Sequence, residues 1–170
     1  MSSHEVSNRT ALRDLIAGTT LWQQWTGLNE AASKARIGWP ESVAPAFPFI
    51  VIVTLAGGRR NRSGYDVSAN FRSHGGLGVV VMSKIADGSD LEASDDAFAA
   101  NFFGLMDAIV EDAHSTSLMV EDLQYGENPY QISSINMSHP VDANADGVDD
   151  EATIEQLFFQ GVFTIATGVA

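Results

Sequence analysis

Apolar residues follow two rhythms along this chain, one helical and one alternating, and the switches between them set an order of elements. Leu12, Leu15 and Ile16 fall on one face between Arg9 and Ala17, behind the capping residues Ser7 and Asn8 and ahead of Gly18, which predicts a first short helix. Thr19 or Thr20 opens a second, carrying Leu21, Trp22 and Trp25 and ended by Gly27, and a third spans Glu30 to Arg36. Gly38 to Pro48 holds Pro40, Pro45 and Pro48 and reads as an extended connection. Phe49 to Leu55 is a continuous β-branched and aromatic run, the pattern of a buried strand. A glycine-flanked basic loop, Gly57 to Gly64, precedes a strand region from Tyr65 to Arg72. Leu77 to Ile85 then either extends that strand past Gly75-Gly76 or pairs with it as a hairpin.

The longest periodic stretch comes next. Ser94-Asp95-Asp96 starts a helix that runs to about His114, with Phe98, Phe102, Leu105, Met106, Ile109, Val110 and Ala113 as its apolar stripe. Pro129 to Met137 reads as a strand marked by Ile132 and Ile135. Beyond a polar, acidic loop at 138–155, Leu157 to Thr167 alternates as a last strand, with Phe159, Gly161, Phe163 and Ile165 on one face. The last two strands form an antiparallel pair closed by that loop. There is no internal repeat. The order predicts an α+β fold: a mostly antiparallel or mixed sheet of about four to five strands, with the long helix and the N-terminal short helices packed on it.

The 170 residues suit a single domain, residues 1–170. It divides into a helical region at about 8–37 and a sheet with the long helix at 48–169, and flexible loops are expected at 57–64 and 138–155. The absence of cysteine excludes disulfides, a thiolate zinc site and a cysteine nucleophile. The polar start, Met1 to Arg13, lacks the apolar segment of a secretory signal. Nor does any stretch approach the roughly 20 apolar residues of a membrane helix, so a soluble protein made in the cytoplasm is expected.

Charge is partitioned sharply. The net charge is −13, yet all nine Lys and Arg lie between Arg9 and Lys84. Residues 1–84 hold five acids, giving 9 − 5 = +4, and residues 85–170 hold the other 17 acids and no Lys or Arg, giving −17. Such a C-terminal half is unsuited to gripping nucleic acid. It serves either as a solvated surface or as one that repels DNA or meets the basic half of a neighbouring copy.

Few segments carry candidate chemistry. Asp142, Asn144, Asp146 and Gly147 match positions 1, 3, 5 and 6 of a calcium loop, and Asp150 matches position 9, but position 12 is Thr153. The alternative is an acidic hairpin loop built on Asx turns between Asp142 and Glu151. Arg59, Arg60 and Arg62 lack the Gly-Lys-Ser/Thr signature of a nucleotide loop and are candidates for contact with an acidic neighbour or for a solvated tip. The glycines around His74-Gly75-Gly76 precede a strand, the wrong side for a dinucleotide fingerprint. His4, His74, His114 and His139 form no ligand pair, and no nucleophile elbow is present. Trp22, Trp25 and Trp39 read as core or interface anchors. Nothing here specifies an enzyme, a catalytic residue, a cofactor site or a metal site.

Short strings add a likeness at the level of layout. These are Ala11-Leu-Arg-Asp-Leu15, Trp25-Thr-Gly27, Ala35-Arg-Ile37, the Pro-Phe strand Pro48-Phe-Ile-Val-Ile-Val53, Ile132-Ser-Ser-Ile135, and the aromatic closing strand Phe158-Phe-Gln-Gly-Val-Phe-Thr-Ile-Ala-Thr-Gly168. In this order, with a strand pair and a long helix between them, they resemble the tail-terminator or tail-completion family of long-tailed bacteriophages. The acidic segment 142–151 and the basic loop 57–62 depart from that pattern. The resemblance implies a virion protein of the tail or neck: a ring, usually a hexamer, that caps the tail-tube protein and joins tail to head through a head-completion or connector protein. DNA passes its lumen without specific binding, and no cofactor, catalysis or membrane is implied. The alternatives are a head-to-tail connector, neck or tail-tube subunit and, in another class, a small calcium- or ligand-binding regulatory domain.

Overall fold

A computed structural model describes residues 4–38, 47–55, 59–62, 71–86, 88–116, 118–141, 145, 147 and 150–167. It is an α+β fold on a mixed sheet. The elements are α1 (His4–Gly18), α2 (Thr20–Thr26), α3 (Ala31–Lys34), β1 (Ala35–Ile37), β2 (Phe49–Thr54), β3 (Arg59–Arg62), β4 (Phe71–Lys84), α4 (Leu91–Ala113), β5 (Val120–Gln124), β6 (Tyr130–Val141) and β7 (Asp150–Thr167).

The sheet runs β1-β2-β4-β7-β5, with β3 sharing β4 and β6 sharing β7. Only β1 and β2 are parallel; the other pairings are antiparallel. The helices cover one face. Ile50, Ile52, Leu77, Val79, Val81, Phe159, Phe163 and Ile165 meet Leu12, Ile16 and Trp22 from the first two helices and the α4 stripe in one buried cluster. The opposite face holds a smaller cluster of Phe49, Val51, Val80, Met82 and Phe158. Burial on both faces is why β2 reads as an unbroken apolar run, whereas strands buried on one side alternate.

Side-chain caps fix two helix starts. The Thr19 hydroxyl accepts the Trp22 N–H at 3.3 Å, and the Asp90 carboxylate accepts the Glu92 N–H at 3.0 Å. The buried Trp22 indole donates to the Ala31 carbonyl at 2.9 Å, tying α2 to α3.

Several boundaries differ from the sequence expectation. α1 begins at His4 rather than at Arg9. Ala35 and Arg36, expected in the third helix, form β1, because Ala35 to Ile37 pair with Ile50 to Ile52. α4 starts at Leu91, capped by Asp90, one turn before Ser94-Asp95-Asp96. Its stripe is buried as expected except at Val110, which is 45% exposed. Residues 71–84 form one continuous strand through both glycines. Arg59–Arg62, 138–141 and 150–155, all expected in loops, are strand residues instead. In these three segments a ladder with the neighbouring strand orders the backbone that local composition marked as a turn. The expected strand residues Tyr65 to Asn70 and most of the proline-rich connection lie outside the described residues.

Candidate assembly surface

β4 and β7 run side by side from Gly75↔Thr167 to Lys84↔Phe158. Each strand overruns this shared stretch, and they do so at opposite ends. Phe71–His74, the start of β4, pair with β3. Asp150–Leu157, the start of β7, pair with residues 134–141 of β6. Two two-stranded ribbons therefore leave the sheet in opposite directions.

Their charges are opposite too. The first ribbon carries Arg59, Arg60 and Arg62 on β3 and Arg72 on β4, and no acid among its paired residues. The three arginines singled out from sequence thus share a strand, and β4 adds a fourth beside them. The second ribbon carries Asp150, Glu151 and Glu155, and its connecting segment adds Asp142, Asp146 and Asp149. It carries no Lys or Arg. Along the chain these charges occupy two halves; strand pairing carries them to two ends of a sheet.

Exposed apolar side chains accompany the acidic ribbon. Ile132, Ile135 and Leu157 are 45%, 39% and 43% exposed. Ile132 lies opposite Phe159, and Leu157 opposite Ser134, so these two project from the same face on neighbouring strands. At the base of the ribbon Tyr130 packs edge-on against Phe98, with ring centroids 5.1 Å apart. Its hydroxyl donates to the Asp95 carboxylate at 3.1 Å. Burial raises the Tyr130 pKa, and the hydrogen bond and the negative charges of Asp95 and Asp96 raise it further.

An open groove between α1, α3 and β1 is lined by Arg13, Asp14, Ala17, Ala35, Arg36 and Ile37, and Arg13 is already paired with Asp14 at 2.8 Å. Among the described residues no group of three His, Asp or Glu is placed to hold a metal ion. Most of the calcium-loop candidate lies outside the described residues. Asp150, matched to a ligand position, sits in the β7 ladder opposite Val141, and Thr153 lies opposite Ser138. Among the described residues no helix is long and apolar enough to cross a membrane.

The edge of β6 that no strand covers among the described residues was not read from the sequence. The signal was present: between Tyr130 and Val141 there is no Asp, Glu, Lys or Arg.

No family model matches the chain, and no curated protein matches it. Among solved structures it is similar to a chain of "Virion of native gene transfer agent (GTA) particle", at 11% identity and a TM-score of 0.45, over 99% of this chain and 100% of that one. At that TM-score the likeness carries no argument about function.

Proposed function

We propose that this chain is a structural subunit of a phage-like virion that assembles head to tail into a ring and terminates the tail tube at its junction with the head. The observation that carries the assembly is the placement of a basic and an acidic ribbon at opposite ends of one sheet. A patch that meets a different patch on the next copy makes a heterologous contact, and such contacts close into rings when the rotation permits. Opposite charge at the two patches steers the encounter and disfavours contact between like ends. The tail position rests on the order of elements that resembles tail-terminator proteins, and the role needs no catalysis. Acidic residues lining a lumen would keep DNA from adhering as it passes.

Two measurements test this reading. Light scattering across protein and salt concentrations should show one closed multiple of the 18.2 kDa chain, weakening as salt rises. A monomer under every condition would overturn it. Added to polymerising tail-tube protein, the assembled ring should limit tube length and sit at one end in electron micrographs. Unlimited growth would remove the terminator role, leaving a connector or neck position.

A further inference from the structure

Sheet edges are templates for another chain, and proteins guard them with short strands, charged residues, prolines and bulges. This sheet guards two of its edges in that way. β1 is three residues long with Arg36 at its centre. β5 is short, carries Glu121 and Asp122, and is broken by a register shift between Val120 and Asp122.

β6 has none of these guards along most of its length. It pairs with β7 in unbroken register for 12 residues, from Tyr130↔Gly161 to Val141↔Asp150. Among the described residues no strand covers its other edge. It contains no Asp, Glu, Lys or Arg, and its one proline, Pro140, lies next to its end. Gln131, Ile132, Ser134, Ile135 and Asn136 are exposed.

The alternation of the ladder shows which backbone groups face away from β7. The Val162 N–H donates to the Pro129 carbonyl at 3.0 Å, so odd-numbered β6 residues turn their backbone groups toward β7. Ile132, Ser134, Asn136 and Ser138 turn theirs outward. Pro140 falls in the outward set, where a missing N–H costs the β6–β7 ladder nothing.

We infer that the outer edge of β6 is the site where a second copy of this chain adds a strand, and that the added strand is β3 with its arginines. This rests on the assembly reading above and names its interface. β6 against a second β6 would bring one acidic ribbon beside another copy's acidic ribbon and the Asp95 and Asp96 carboxylates next to Tyr130. β3 instead brings Arg59, Arg60 and Arg62 to the acidic ribbon. Among the described residues β3 pairs through one edge only, with β4. The two ribbons of one copy leave opposite ends of its sheet, so the pairing joins different copies. Backbone hydrogen bonds supply the seat, and the charges select which strand takes it.

Ser134→Pro and a charge exchange test the inference. Ser134→Pro removes an outward N–H and leaves the β6–β7 ladder complete, so it should keep the wild-type melting temperature while raising the half-assembly concentration about tenfold or more. Ser133→Pro, whose N–H faces β7, should instead lower the melting temperature. Reversal of Arg59, Arg60 and Arg62 to Glu should abolish assembly, as should reversal of Asp150, Glu151 and Glu155 to Lys. A mixture of the two reversed proteins should assemble, because each then meets its opposite. Since the chain has no cysteine, a mixture of an Asn61→Cys chain with an Ile132→Cys, Ser134→Cys or Asn136→Cys chain should give disulfide-linked dimers in one register only. Assembly that ignores Ser134→Pro and the reversals, with no such cross-link, would overturn the inference while leaving ring formation intact. A wild-type chain that never assembles would overturn both.

Discussion

Gly161 on β7 lies directly under the ring of Phe102 on α4: a Cβ built at 161 would stand 2.8 Å from Phe102 Cδ2 and closer still to Cε2. The helix rests on the sheet at a point where the sheet has no side chain. Phe102 is fully buried there, stacked on Phe98 and edge-on to Phe163. Gly161→Ala should therefore destabilise the fold by about 1–3 kcal/mol, the usual cost of overpacking a filled core. Denaturant titration would check it, and adding Phe102→Leu should recover part of the loss, a coupling that a double-mutant cycle measures. Equal losses from Gly161→Ala with and without Phe102→Leu would show that the contact is not the cause.

Tyr130 makes stability depend on pH in the alkaline range. Its folded pKa is raised above its unfolded value by burial first and by Asp95 and Asp96 after it. The folded state thus holds the proton more tightly than the unfolded chain does. The resulting stability is fully present below the ordinary tyrosine pKa of about 10 and is lost as pH rises through the folded value. Tyr130→Phe should cost about 0.5–1.5 kcal/mol near neutral pH through the lost hydrogen bond, and it should flatten the fall in stability above about pH 10. Melting temperatures of the two proteins across that range decide it.

Trp22→Phe should leave the Ala31 carbonyl without its indole partner in a site where Trp22 is fully buried. A loss of about 1–3 kcal/mol is expected from the unsatisfied carbonyl alone. Hydrogen exchange should show faster opening of α2 and α3 than of the β4–β7 ladder.

Calcium should leave the melting temperature unchanged. The matches to positions 9 and 12 of the loop pattern, Asp150 and Thr153, have extended backbone paired with Val141 and Ser138, where an EF-hand would pass into its second helix. A real site would stabilise the fold by mass action, so a rise in melting temperature with millimolar calcium but not with magnesium would restore the regulatory reading.

The core was legible from sequence because its signals are local. The α4 stripe, the alternation of Phe159, Phe163 and Ile165, and the unbroken run of β2 each report burial through a few neighbouring residues. Boundaries failed where pairing with another strand overrode local composition. Arg36 became strand because β2 lies beside it, and Arg59–Arg62 became strand because β4 returns past them.

The sequence by itself determined which faces are apolar, that the first two helices stop at Gly18 and Gly27, and that every Lys and Arg precedes residue 85 while most acids follow it. Only the tertiary structure decided that these charges stand at opposite ends of one sheet and that, among the described residues, no strand covers the outer edge of β6. The physical reason is register. A sum of charges has no direction, and a strand has no free edge until its neighbours are assigned. Both follow from how far β4 and β7 overrun each other, which residues from opposite parts of the chain fix together.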